Sequence, residues 1–219
     1  MTIAENLQQI RTTLPETVTL VAVSKTKPVS DLTEAYESGQ RIFGENKIQE
    51  MADKWEQMPK DIQWHMIGHV QTNKVKFMAP FVSLVHGVDS LKLLQEINKQ
   101  AAKNNRVINC LLQLHIAEEE TKFGLDEQEL NDLIASEEFA TMQNIQIQGV
   151  MGMATFTDNQ EQVKKEFTHL KSIFDTLKGK NPVHCNLQTI SMGMSGDYKL
   201  AIECGSTMVR IGSSIFGGR

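Results

Sequence analysis

Residues 18–30 read VTLVAVSKTKPVS. The opening run is apolar and rich in β-branched residues, the composition of a strand buried on both faces. It stops abruptly at Ser24-Lys25-Thr26-Lys27-Pro28. Pro28 then sets up a helix start, and Val29–Ser38 carries a helical pattern that stops at Gly39. A strand, a turn and a helix follow one another within some twenty residues, which is one β/α unit. Lys25 stands where the strand must leave the sheet. Lysine is uncommon in a fully buried place unless it is paired or used. It is therefore either a solvated strand end or an amine aimed into a site.

The unit recurs along the chain. The pattern predicts eight strands, at Val18–Ser24, Arg41–Gly44, Gln63–Ile67, Ser83–Val88, Val107–His115, Ile145–Met151, Leu187–Ser191 and Thr207–Ile211. Between them lie helical stretches. Ser90–Ala102 aligns Leu91, Leu94, Ile97 and Ala101 on one face, and Asn159–Leu177 aligns Val163, Phe167, Leu170, Phe174 and Leu177. Asp126–Ser136 is a further short helix, and Ile3, Leu7, Ile10 and Leu14 make the first residues an amphipathic helix rather than a signal peptide. Eight alternating units in 219 residues predict an α/β fold, a single (β/α)8 TIM barrel spanning residues 1–219. A doubly wound open sheet is the alternative, but GxGxxG is absent after the first strand.

Composition narrows the function. The chain is 40% hydrophobic and 22% charged, with a formal net charge of −5. A mildly acidic chain without a long basic run is a poor partner for nucleic acid or an anionic membrane. Its apolar runs are strand-sized, so no transmembrane helix is expected. Cys110, Cys185 and Cys204 are odd in number and far apart, which suits a reduced, cytoplasmic protein better than a disulfide framework or a structural zinc site. His65 and His69 have the HxxxH spacing of a zinc helix, but Gly68 and the strand-like WHMI context argue against that helix. The acidic run Glu118-Glu119-Glu120 reads as a solvated loop.

In a barrel the site lies at the C-terminal ends of the strands. Those ends collect Lys25, Asn46, His69, His86, His115 and the segments SMGMSGD (191–197) and VRIGSS (209–214). Barrels often bind phosphate in the loops after strands seven and eight. Both loops here offer glycine and hydroxyls, so amides can approach an anion. An amine at one edge of the mouth and a phosphate cradle at another is the arrangement that pyridoxal 5′-phosphate needs, with Lys25 forming the Schiff base.

The segments VAVSKTKP, FGENKIQE, WHMIGHVQTNKVK, VHGVDS, GVMGMATF and SMGMSGDYKLAIECGSTMVRIGSSIFG closely resemble the pyridoxal phosphate homeostasis protein family, from about residue 18 to the C-terminus. The resemblance implies a barrel like the N-terminal domain of alanine racemase. It implies Lys25 as the Schiff-base lysine and Arg210 as the arginine facing the pyridine nitrogen. Ser191, Gly212 and Ser213 become the phosphate cradle, and Asn46, His65, Gly68 and Asn73 line the same pocket. Lys27 and Lys122 fall at positions near the cofactor. From the residues alone, Lys27 also reads as a surface lysine beside Pro28.

Three functions follow, the third being an interaction or regulatory module whose cofactor signals vitamin B6 status. The first is a non-catalytic protein that holds pyridoxal phosphate on Lys25, contributes to vitamin B6 homeostasis and passes the cofactor to dependent apo-enzymes. The second is a racemase-like enzyme. A two-base racemase needs a second acid/base group opposite the lysine, and the only tyrosines, Tyr36 and Tyr198, are not obvious partners. Without the second domain through which racemases dimerise, a monomer is expected.

Overall fold

The computed structural model describes residues 2–119 and 123–218; Lys122, placed near the cofactor by resemblance, and Glu120 lie outside them. Helix α1 (Ile3–Thr13) comes first. Then follow β1 (Thr19–Val23), α2 (Val29–Glu37), β2 (Ile42–Glu45), α3 (Ile48–Gln57), β3 (Gln63–Met66), a 3-10 turn (Thr72–Lys74) and α4 (Val75–Met78). The middle of the chain gives β4 (Leu84–Val88), α5 (Leu91–Lys103), β5 (Ile108–Gln113), α6 (Glu127–Ala135) and α7 (Glu137–Ala140). It ends with β6 (Ile145–Met151), α8 (Gln160–Lys180), β7 (Cys185–Ser191), α9 (Tyr198–Glu203), β8 (Met208–Ile211) and α10 (Ser213–Phe216).

The eight strands are parallel, pair in chain order and close into a barrel. Closure sets Thr19 opposite Met208, Leu20 opposite Val209, Val21 opposite Arg210 and Ala22 opposite Ile211. The predicted (β/α)8 barrel is the observed fold, and each expected strand is present within two residues at its ends. Helix α3 and the short helices α4, α7, α9 and α10 are elements the pattern did not foretell.

Side chains alternate across a strand, and this alternation builds two cores. Outward residues such as Ala22, Phe43, Trp64, Val85 and Ile211 pack against the helices in one continuous apolar layer. Inward residues Val21, Leu84, Leu111, Met151 and Met208 fill the barrel's interior. The same period carries β1 from Val21 through Val23 to Lys25, and β8 from Met208 through Arg210 to Gly212. Lys25 and Arg210 are thus inward positions above an apolar floor.

Helix α1 opens with a capping box between Thr2 and Glu5 and buries Leu7 and Ile10. It is tied to its neighbours by Ala4 N donating to Glu34 Oε1, Asn6 Nδ2 to the Ile215 carbonyl and Arg11 to the Ser38 carbonyl and Gln40 Oε1. It thereby bridges α2 and α10, the helices that follow the two seam strands.

Candidate functional site

A cavity of about 550 Å³ opens at the C-terminal ends of the strands, where Lys25, Asn46, Arg210, Gly212 and Ser213 share its wall. Val23, Ile67, Met153 and Met194 give it an apolar lining, and Thr155, Ser195 and Asp197 a polar one.

The turn that carries Lys25 is tight. Ser24 N donates to the Gly44 carbonyl, Lys27 N donates back to the Ser24 carbonyl, and Thr26 sits at φ 64°, a left-handed conformation uncommon outside glycine. Lys27 donates from Nζ to the carbonyls of Phe216 and Gly218. It is a half-buried clamp on the end of α10 rather than a free surface lysine.

Arg210 is buried beneath the cavity. Nη1 donates to the Ser191 carbonyl at 2.8 Å and to Ser191 Oγ at 2.6 Å, and Nη2 donates to the Gly152 carbonyl at 3.1 Å. Burial pulls its pKa down to about 10, with the Asp197 carboxylate opposing; the guanidinium keeps its charge at neutral pH.

The contacts continue inward. His86 Nδ1 lies 3.0 Å from Ser191 Oγ, and His86 Nε2 lies 3.0 Å from His65 Nδ1. Arginine only donates, so the serine oxygen accepts from it. The arrangement that uses the serine hydrogen then runs one way: Ser191 donates to His86, and His86 donates to His65. Both rings are neutral. Burial drives the His65 pKa down to about 3, and burial with the nearby His65 and Arg210 drives His86 well below 6.5. Strands β3, β4, β7 and β8 each contribute one member of this polar layer.

Two loops build the part of the wall that carries Ser195, Gly212 and Ser213. Gly193, at φ +97°, brings its backbone so close to α9 that a Cβ would sit 2.7 Å from Ala201 Cβ and 2.9 Å from Tyr198 Cα. Its carbonyl accepts from Arg210 N. Gly212 N donates to Ser195 Oγ at 3.3 Å, and Met194 N to Asp197 Oδ1 at 2.6 Å. Burial raises the Asp197 carboxyl's pKa, which the Met194 amide and Arg210 counteract. Gly212 and Ser213 open α10, where the first amides have no intrahelical acceptor.

This donor set suits a phosphorylated aldehyde. It comprises a primary amine, a buried guanidinium, a hydroxyl and helix-start amides around a partly apolar cavity. Lys25 would hold the aldehyde carbon, Arg210 would face the ring, and Gly212, Ser213 and Ser195 would meet the phosphate.

Five of the nine residues singled out in the sequence share the cavity wall: Lys25, Asn46, Arg210, Gly212 and Ser213. The other four do not. His65 and Ser191 belong to the polar layer beneath it, so the hydroxyl on that loop's cavity wall is Ser195, not Ser191. Gly68 lies against Asn46 with no room for a side chain, since a Cβ would sit 2.4 Å from the Asn46 carbonyl oxygen. Asn73 is exposed on the 3-10 turn, away from the cavity. His86 was visible only as a strand-end residue, and no local signal tied it to Ser191, 105 positions away.

The histidines of the HxxxH spacing have separate partners: His65 meets His86, while His69 lies 3.4 Å from Asp89 and stacks on Phe123. Tyr36 OH donates to Asp61 and Tyr198 OH pairs with Thr13 Oγ1, both off the cavity wall. Among the described residues, no helix is long and apolar enough to cross a membrane.

Residues 1–219 match the family described as alanine racemase, N-terminal domain. The pyridoxal phosphate homeostasis protein of Pasteurella multocida (strain Pm70) is 38% identical over 232 residues, covering 100% of this chain and 98% of the relative. Among solved structures, PipY of Synechococcus elongatus PCC7942 without PLP superposes with a TM-score of 0.92 at 32% identity, covering 98% of this chain and 100% of that one. PipY with PLP bound superposes with a TM-score of 0.89 over the same shares of the two chains.

Proposed function

The chain belongs to the alanine racemase N-terminal domain family and, within it, to the pyridoxal phosphate homeostasis proteins, and from that premise we propose that Lys25 is the residue on which it holds the cofactor. The protein binds pyridoxal phosphate and serves its homeostasis. The observation that carries the assignment to Lys25 is the shared wall of one cavity, with Lys25 on it together with Arg210, Gly212 and Ser213.

Bound there, pyridoxal phosphate supplies an aldehyde that a primary amine can hold covalently and reversibly. The chain's part is to place and shield. Lys25 presents its amine from a turn whose backbone is fixed on both sides. Arg210, held by three hydrogen bonds, keeps a charged donor under the cavity. The start of α10 and Ser195 offer donors to an anion. Val23, Ile67 and Met153 exclude water.

The finer reading is a carrier without turnover that passes the cofactor to dependent apo-enzymes, as a monomer in the cytoplasm. Two observations support the absence of turnover: neither tyrosine stands on the cavity wall, and the histidines beneath it are neutral and engaged with each other. The free cysteines suit a reducing compartment.

The test is the visible absorbance of the purified protein with added pyridoxal phosphate, wild type beside Lys25→Ala, followed by borohydride reduction and peptide mass mapping. A band that disappears in the variant, with the reduced adduct on Lys25, supports the assignment. An adduct spread over surface lysines refutes it. Conversion of L-alanine to D-alanine by the loaded protein would overturn the carrier reading.

A further inference from the structure

Beneath the turn that carries Lys25 lies a buried charge cluster that the cavity does not use. Lys54, on α3, is 7% exposed at its side chain. Its ammonium donates to Glu45 Oε1 at 2.8 Å, to Glu50 Oε1 at 2.7 Å and to the Ser24 carbonyl at 2.8 Å, so all three of its hydrogens are engaged. Glu45 is fully buried at the end of β2, and its Oε1 also accepts from Ser24 Oγ at 2.6 Å. Glu50 Oε1 accepts from the Thr26 amide at 2.5 Å.

These bonds converge on two residues, Ser24 and Thr26, the immediate neighbours of Lys25. Ser24 is held by its carbonyl and its hydroxyl, and Thr26 by its amide. A buried lysine with two carboxylates is costly to desolvate and is weak evidence of stability for its own sake. Glu45 carries that cost visibly, since its Oε2 is buried with no hydrogen-bond partner among the described residues. Apolar side chains would pack this space between barrel and helix more cheaply. They would not hold a left-handed residue at position 26.

We propose that Lys54, Glu45 and Glu50 are positioning residues that fix the backbone on both sides of Lys25 and so aim its amine into the cavity. The proposal rests on the reading of Lys25 as the cofactor-holding lysine. None of the three lines the cavity; they act through Ser24 and Thr26.

The experiment uses two variants of the full chain. Glu45→Gln combined with Lys54→Met removes the buried pair and leaves only the partly exposed Glu50 without its cation, and Glu50→Ala removes the acceptor for Thr26. Backbone amide exchange is followed in the cofactor-free protein, and the visible band and the borohydride adduct after adding pyridoxal phosphate. The expected result is exchange at Thr26 about tenfold faster, with barrel-core amides unchanged, and an apparent affinity about tenfold weaker. The adduct is expected to move from Lys25 toward surface lysines. Wild-type affinity and an intact Lys25 adduct in both variants would overturn the proposal alone. So would faster exchange throughout the barrel, because it would mark a merely structural role. A wild-type protein with no band would overturn the cofactor reading itself and the proposal with it.

Discussion

Arg210 Nη1 lies 2.6 Å from Ser191 Oγ and 2.8 Å from the Ser191 carbonyl oxygen. One residue of β7 thus offers two acceptors to one nitrogen of β8. Through its hydroxyl, the same residue reaches His86 and then His65. The cation beneath the cavity is therefore held by neutral groups, and among the described residues no carboxylate bonds to it directly.

Ser191→Ala removes the side-chain acceptor and leaves the two carbonyls. A hydrogen bond to a buried charged group contributes about 2 kcal/mol. We expect a loss of stability of that order and a weaker hold on the cofactor, read from thermal melts and from titration of the visible band. Wild-type behaviour in both would mean that the carbonyls alone position Arg210.

The buried histidines set a pH dependence. Each takes up a proton near pH 6.5 when unfolded but, in the fold, His65 does so only near 3 and His86 well below 6.5. The unfolded chain therefore binds more protons, and stability present above about pH 6.5 is lost as pH falls toward 3. The slope is about 1.4 kcal/mol per pH unit for each histidine. Glu45, whose pKa burial raises, works in the opposite sense over the acidic end. The comparison is therefore wild type against His65→Gln/His86→Gln: the variant should show a flatter decline between pH 6.5 and 5, measured by denaturant unfolding. Parallel curves would refute the assignment.

Gly68→Ala would force a Cβ to 2.4 Å from the Asn46 carbonyl oxygen and 2.7 Å from Asn46 Cα. The backbone must move, and overpacking of this kind costs about 1–3 kcal/mol. Because Asn46 lines the cavity, cofactor affinity should fall with the melting temperature. An unchanged melting temperature would show that the loop yields freely.

Asn73 matches a motif in the sequence yet stands exposed, off the cavity wall. Asn73→Ala should leave affinity within about twofold of wild type, the range of an ordinary surface change. A tenfold loss in the band titration would show that the turn at residues 72–74 folds over the bound cofactor.

The barrel was legible because its strands obey a period of two and its longer helices one of 3.6, and both periods come from short-range geometry. Helix α3 escaped for a physical reason. Its buried face runs Ile48, Met51, Lys54, and a lysine at the third position breaks the apolar stripe. The cation that hid the helix is the one that bonds to the carbonyl of Ser24. Lys25 was legible as a residue at a strand end, whereas Arg210 came from the family resemblance. The His65, His86 and Ser191 layer was not, because its members come from three strands and meet only once the barrel has closed. The resemblance-derived roles of His65 and Ser191 as pocket residues were displaced one layer inward by the same alternation.

The closure of β1 on β8 has a consequence for the life of the chain. Val21 pairs with Arg210, so the lysine and the arginine of the cavity come from the first and last strands of the barrel. That pairing has nearly the greatest sequence separation in the molecule, and such contacts close late because the loop entropy must be overcome first. A nascent chain carries the amine long before it carries the guanidinium or the start of α10. Until β1 and β8 have met, the amine has no guanidinium beside it, so the wall that Lys25 shares with Arg210 exists only once the barrel has closed.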